Sequence, residues 1–134
     1  MPDVLIATDA EWIRADIEAA IGGPDVSIHW VRAGSAVVAT AAQVEPELVV
    51  LDLQIGNMGG MAACTALRHE SGAGRSDRVP VLMLLDREAD IFLARRCDAD
   101  GWLVKPLDPL RIRKAATALM AGGSYEEAEA ATPS

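Results

Sequence analysis

The sequence predicts an α/β fold, a doubly wound parallel sheet built from five βα units, and three observations carry that expectation. Short apolar runs recur at Val4 to Ala7, Val26 to Val31, Leu48 to Leu51, Val81 to Leu85 and Trp102 to Val104, each of strand length and too short for a helix. Amphipathic segments separate the runs, the pattern of parallel strands covered on both faces. Apolar residues make up 51% of the chain and aromatic ones only 4%, which suits an aliphatic, fully buried sheet.

The elements follow in order. After the first run, Ile13, Ile17, Ala20 and Ile21 share one helical face, and Gly22-Gly23-Pro24 supplies a stop, so a helix is expected from about Glu11 to Ile21. After the second run, Ser35 is the expected N-cap of an Ala/Val-rich helix. That helix ends near Glu45, because Pro46 disfavours helical geometry in the residue before it. Gly59 and Gly60 precede a third helix carrying Met61, Cys64 and Leu67 on one face, and the polar stretch Ser71 to Arg78 reads as a loop. Ile91, Leu93, Ala94 and Cys97 give a shorter fourth helix before Gly101.

The fifth helix has the clearest start, with Asp108 as N-cap and Pro109 at the first helical position. Leu110, Ile112, Ala116, Leu119 and Met120 supply its apolar face, and Gly122-Gly123 ends it. The domain is therefore assigned to residues 1–121, and residues 122–134, rich in Glu and Ala, are read as a disordered acidic tail.

Several function classes are disfavoured. A chain of 134 residues fits one domain. The net charge of -8 argues against nucleic-acid partners, whose phosphates call for clustered Lys and Arg. Cys64 and Cys97 lie far apart without neighbouring ligands at metal spacing, and read as two reduced core thiols. Met1-Pro2-Asp3 shows no secretory pattern, and the apolar runs are far short of a membrane span. A cytoplasmic protein without membrane contact is expected. His29 and His69 are expected at the surface, and Glu126 to Glu129 as a solvated acidic stretch.

Chemistry in an open doubly wound sheet gathers beyond the carboxyl ends of the strands. Those ends hold Thr8 and Asp9, Asp52, Leu85 and Asp86, and Lys105 with Pro106. Two carboxylates and a backbone carbonyl suit Mg²⁺, Asp52 suits a nucleophile toward phosphorus, and Lys105 suits the charge on transferring oxygens. No Gly-rich phosphate loop follows the first run, since Thr8-Asp9-Ala10-Glu11 stands there, which disfavours a nucleotide-binding enzyme.

Residues 3 to 121 resemble the receiver domains of two-component response regulators. Pro46-Glu47-Leu48-Val49-Val50-Leu51-Asp52 looks like that family's third strand ending in its phosphorylated aspartate. Gly60 falls where the family keeps a glycine, and Val104-Lys105-Pro106 looks like its lysine-proline pair. The resemblance implies the flavodoxin-like strand order 2-1-3-4-5, Asp52 as phosphoacceptor, and Mg²⁺ held by Asp9, Asp52 and the backbone carbonyl of Gln54. It further implies a histidine kinase or phosphotransfer protein as donor.

Three positions depart from the family pattern. Thr8 stands where an acid is usual, which removes one negative charge and should weaken Mg²⁺ binding. Its hydroxyl is expected to reach a metal-bound water. Leu85 replaces a Ser or Thr whose hydroxyl turns toward the phosphoryl group, and Trp102 replaces a switching Tyr or Phe. Trp102 is open to two uses, plain packing or a partner surface. Gly56 stands where proline is frequent, and the connection between the fourth and fifth strands is shortened. Asp86 is open to two readings, a negative charge that disfavours an incoming phosphoryl group or, the preferred one, a helix N-cap ahead of Arg87.

The expected function is a stand-alone receiver, monomeric or weakly dimeric. It accepts a phosphoryl group on Asp52, signals by protein contact, and at most dephosphorylates itself slowly, so it is not an enzyme. The alternative is a phosphorylation-independent pseudo-receiver acting as a protein-binding module.

Overall fold

Val4 to Ala7, all of Leu48 to Asp52 and all of Val81 to Leu85 are buried, and that continuous burial is what a central strand of a parallel sheet requires. The computed structural model describes residues 2–56, 58–74 and 77–126. The strands are β1 (Asp3–Ala7), β2 (Ser27–Val31), β3 (Leu48–Asp52), β4 (Val81–Leu85), β5 (Gly101–Val104) and β6 (Tyr125–Glu126). Between them lie α1 (Glu11–Ile21), α2 (Val37–Val44), α3 (Gly60–Gly72), α4 (Ile91–Arg96) and α5 (Pro109–Met120). The sheet order is β2-β1-β3-β4-β5-β6, and every pairing is parallel.

The alternation of side chains along each strand splits the core into two layers. Leu5, Val49, Leu51, Met83, Leu85 and Trp102 face one side under α2, α3 and α4. Val4, Ile6, Val50, Leu82, Leu84 and Leu103 face the other under α1 and α5. Cys64 and Cys97 are both buried free thiols in the first layer, and Cys64 Sγ donates to the Cys97 carbonyl at 3.2 Å. The contact with Cys97 and burial both push the Cys64 thiol upward, away from the thiolate. No helix among the described residues is long and apolar enough to cross a membrane.

Two helix starts differ from expectation. Ser35 does not cap α2; it sits inside a 3₁₀ turn, Gly34–Ala36, that leads into the helix with no side-chain cap. Asp86 is not the cap of α4 either, because a second 3₁₀ turn, Glu88–Asp90, intervenes. By contrast Asp108 caps α5 as its sequence implies, accepting the Arg111 N–H at 2.9 Å with Pro109 at the first helical position. His69 is exposed, whereas His29 is half-buried and lies 3.1 Å from Asp3 Oδ1.

A sixth strand of two residues extends the expected five. Gly122, at φ +90°, and the Gly123 N–H bonded to the Ala118 carbonyl at 2.9 Å turn the chain back after α5. Tyr125 then runs beside Gly101, where a Cβ would stand 2.6 Å from the Tyr125 carbonyl oxygen, so only glycine admits the strand. The segment read as a disordered tail thus includes a paired strand, and the remainder of that reading, residues 127–134, lies outside the described residues.

Candidate functional site

Parallel ladders carry on one residue past the strands, and that fixes the site. The Thr8 N–H donates to the Val31 carbonyl at 3.1 Å, the Leu53 N–H to Leu84 at 3.0 Å, and the Lys105 N–H to Leu85 at 2.8 Å. These bonds tie the end of β1 to β2 and the ends of β3 and β5 to β4, and the sheet order sets the ends of β1, β3, β4 and β5 side by side.

Asp52, at the end of β3, is buried, with 2% of its surface exposed. Its Oδ1 accepts from Lys105 Nζ at 2.9 Å and from the Gln54 N–H at 3.1 Å, and its Oδ2 accepts from the Thr8 hydroxyl at 2.7 Å. Both oxygens of the buried carboxylate are therefore hydrogen-bonded, as its desolvation demands. Thr8 gives its proton to Asp52 itself, and its oxygen accepts the Ala10 N–H at 3.1 Å.

Lys105 is shared. A second bond of 2.9 Å runs from Nζ to Asp86 Oδ1. Burial alone would lower the Lys105 pKa, but the hydrogen bonds and charges of Asp52 and Asp86 outweigh it, and the ammonium is held above its ordinary value. Pro106 follows through a cis peptide bond.

Asp9 is exposed, with Oδ2 accepting the Gly56 N–H at 3.1 Å. The residue at 56 therefore serves through a donor that proline lacks. Gly60 has a different reason to be glycine. A Cβ there would stand 2.5 Å from the Asp52 carbonyl oxygen and 2.6 Å from Leu53 Cα, so the start of α3 approaches the end of β3 only without a side chain. Among the described residues no three of His, Cys, Asp or Glu form a metal cluster.

Leu85 and Trp102 lie in one buried layer, at 0% and 2% exposure. Of the two uses open to Trp102, its burial selects packing, with the Arg95 guanidinium 5.3 Å from the ring centroid. Leu85 continues the apolar strand.

Sequence reasoning missed two supports. Trp30 Nε1 donates to the Thr8 carbonyl at 2.8 Å, while Arg14 and Arg32 lie 4.9 and 4.8 Å from the centroid of its ring. Arg111 clasps the carbonyls flanking Lys105, with Nη2 on Val104 and Nη1 on Pro106, each at 2.8 Å. Neither contact follows a local pattern, although Arg111 stands at the third position of a capped helix whose start abuts the fifth strand.

Comparison with known proteins agrees with this geometry. The response regulator receiver domain model matches residues 4–117. Relatives include the nitrate/nitrite response regulator protein NarL of Escherichia coli K12, 29% identical over 132 residues, which are 97% of this chain and 59% of that protein. Another is the DNA-binding response regulator MtrA of Mycobacterium tuberculosis, 25% identical over 94% of this chain and 54% of its own length. The chain thus spans little more than half the length of these relatives.

Among solved structures, the chemotaxis response regulator CheY4 of Vibrio cholerae superposes with a TM-score of 0.77 at 23% identity, covering 89% of this chain and 98% of that one. The isolated receiver domain of RcsB from Salmonella enterica serovar Typhimurium gives 0.78 at 16% identity, covering 94% and 93%. These likenesses show the fold, and the match over residues 4–117 shows the family: the chain belongs to the response regulator receiver domains of two-component systems.

Proposed function

We propose that Asp52 is a phosphoryl acceptor and that this receiver transmits a two-component signal by contact with a partner protein, its donor a histidine kinase or phosphotransfer protein. The observation that carries the reading is the Lys105 ammonium 2.9 Å from Asp52 Oδ1. An ammonium already at the nucleophile stands ready for the charge on the transferring oxygens.

The residues present suit Mg²⁺. Asp9, Asp52 and the Gln54 carbonyl form an all-oxygen set of the kind a hard cation takes, and Asp9 is exposed beside the pocket. When bound, the cation offsets charge on the phosphoryl oxygens. The set has two carboxylates, Thr8 supplying a hydroxyl in place of a third, so weak metal binding is part of the reading. The rest falls to the chain itself: Asp52 supplies the nucleophilic oxygen, Lys105 holds the arriving oxygens, and Gly60 lets α3 approach the acceptor.

A second reading, a phosphorylation-independent binding module, is favoured by one observation. Both Asp52 oxygens are already engaged within the chain, by Thr8, Gln54 and Lys105, beside a Leu85 that offers no hydroxyl to an added phosphoryl group.

Incubation with Mg²⁺ and acetyl phosphate, followed by intact-mass spectrometry, separates the two. One added phosphoryl group, lost in Asp52→Asn, is expected. If no protein retaining Asp52 and Lys105 takes up the group, the binding module is the better reading.

A further inference from the structure

We infer that Asp86 is a brake on the acceptor. Its carboxylate holds Lys105 in the unphosphorylated protein and competes with an arriving phosphoryl group for the same ammonium. This rests on Asp52 being the phosphoacceptor.

The arrangement follows from the strand ends. The bond from the Lys105 N–H to the Leu85 carbonyl sets Lys105 beside the end of β4, where Asp86 is the next residue. From there Nζ reaches Asp52 and Asp86 at the same distance, 2.9 Å. The Asp52 side chain is 3% exposed and that of Asp86 35%, so one carboxylate is buried and the other opens to solvent, where a phosphoryl group arrives. The two are not equivalent in need. Asp52 also has the Thr8 hydroxyl and the Gln54 N–H, whereas Lys105 is the hydrogen-bond partner of Asp86.

Transfer from acetyl phosphate joins an Asp52 carboxylate oxygen to phosphorus as the bond from phosphorus to the acetyl oxygen breaks. Acetate leaves with the electron pair, no proton moves, and three negative charges stand on each side of the step. The phosphoryl group brings about two of those charges to the solvent-open side of the site. Asp86 meets them with a like charge and keeps one of the three N–H donors of Lys105 engaged.

Asp86 also steadies Lys105, which works in the opposite direction. Asp52 still holds the ammonium at 2.9 Å without it, so the neutral variants keep Lys105 at the acceptor while removing the competing charge.

The test compares wild type with Asp86→Asn, Asp86→Ser and Asp86→Glu, using acetyl phosphate and Mg²⁺, with adducts read by intact mass over time. Cooperative melting of each variant ensures that folded protein is compared. Removing one unit charge near the pocket is expected to speed uptake about tenfold at low salt in Asp86→Asn and Asp86→Ser. The gain shrinks as salt screens the repulsion. Asp86→Glu restores the charge and stays slow. A purely structural role for Asp86 would give neither the salt dependence nor the slow glutamate variant.

An adduct on Asp86→Asn but none on wild type, lost again in Asp52→Asn/Asp86→Asn, supports the brake in its strongest form. Equal rates for wild type and both neutral variants, with Asp52 modified in each, overturn the brake and leave the acceptor standing. Slower uptake in the neutral variants also overturns it, assigning Asp86 to positioning Lys105. No adduct on any of the proteins overturns the acceptor and the brake together.

Discussion

The Thr8 hydroxyl donates to Asp52 Oδ2 at 2.7 Å, joining two buried side chains 44 residues apart. Replacing Thr8 by the near-isosteric Val leaves that oxygen without its donor and the Ala10 N–H without its acceptor. The expected loss of stability is about 2 kcal/mol, the usual cost of unsatisfied buried polar groups. Denaturant unfolding followed by tryptophan fluorescence measures it, and an unchanged midpoint would show that water replaces the hydroxyl.

Thr8→Asp tests the charge count instead. A third carboxylate at an oxygen site should tighten Mg²⁺ binding. Titration with Mg²⁺, followed by isothermal calorimetry, should give a lower dissociation constant for the variant than for wild type.

Lys105→Met removes the ammonium from Asp52 and Asp86 together. The expected cost is about 2 kcal/mol near neutral pH, below the figure for fully buried pairs because Asp86 is partly solvated. The sign of the pH dependence follows from the raised Lys105 pKa. The stabilisation is fully present below the ordinary lysine value of 10.5 and is lost as pH rises through the higher folded value. The stability gap between wild type and Lys105→Met should therefore hold at pH 8 and close in the strongly alkaline range, as read by denaturant unfolding at several pH values.

Asp108→Ala removes the cap of α5. The Arg111 N–H and guanidinium hold the Asp108 carboxyl below its ordinary 3.8, so the cap contributes above that value and is lost as pH falls through the lower folded one. Melting temperatures of wild type and variant should differ at neutral pH and converge in strong acid.

Gly60→Ala places a methyl against the Asp52 carbonyl oxygen and Leu53 Cα, both backbone atoms that cannot swing aside. About 2 kcal/mol of destabilisation is expected from such overpacking. Gly72→Ala, at the other end of α3 with open space around it, is the control and should change stability little.

The apolar runs located all five expected strands to within one residue at each end; β3 and β4 in particular, buried on both faces, need no alternation and stand out as apolar blocks, whereas β2 is half-buried and carries Ser27 and His29. Asp108-Pro109 was equally legible, since cap and N1 proline act within one turn. Ser35 and Asp86 carried the same local cap chemistry but were misread. In both cases a 3₁₀ turn displaces the helix start, and the Asp86 carboxylate is bonded instead to a lysine 19 residues away. The edge strand at Tyr125 was illegible because two residues carry no periodicity, and its place depends on a missing Cβ at Gly101.

What the sequence determined by itself was the element order, the parallel sheet and the set of groups at its carboxyl ends, all of which follow from local hydrophobic pattern and chain connectivity. Only the tertiary structure decided how those groups are paired. Thr8 is bonded to Asp52, Gly56 to Asp9, and Lys105 is divided between Asp52 and Asp86. The reason is that parallel register sets which strand ends are neighbours, and hydrogen bonding at 2.7–3.1 Å then selects partners that lie 19 to 53 residues apart in the chain.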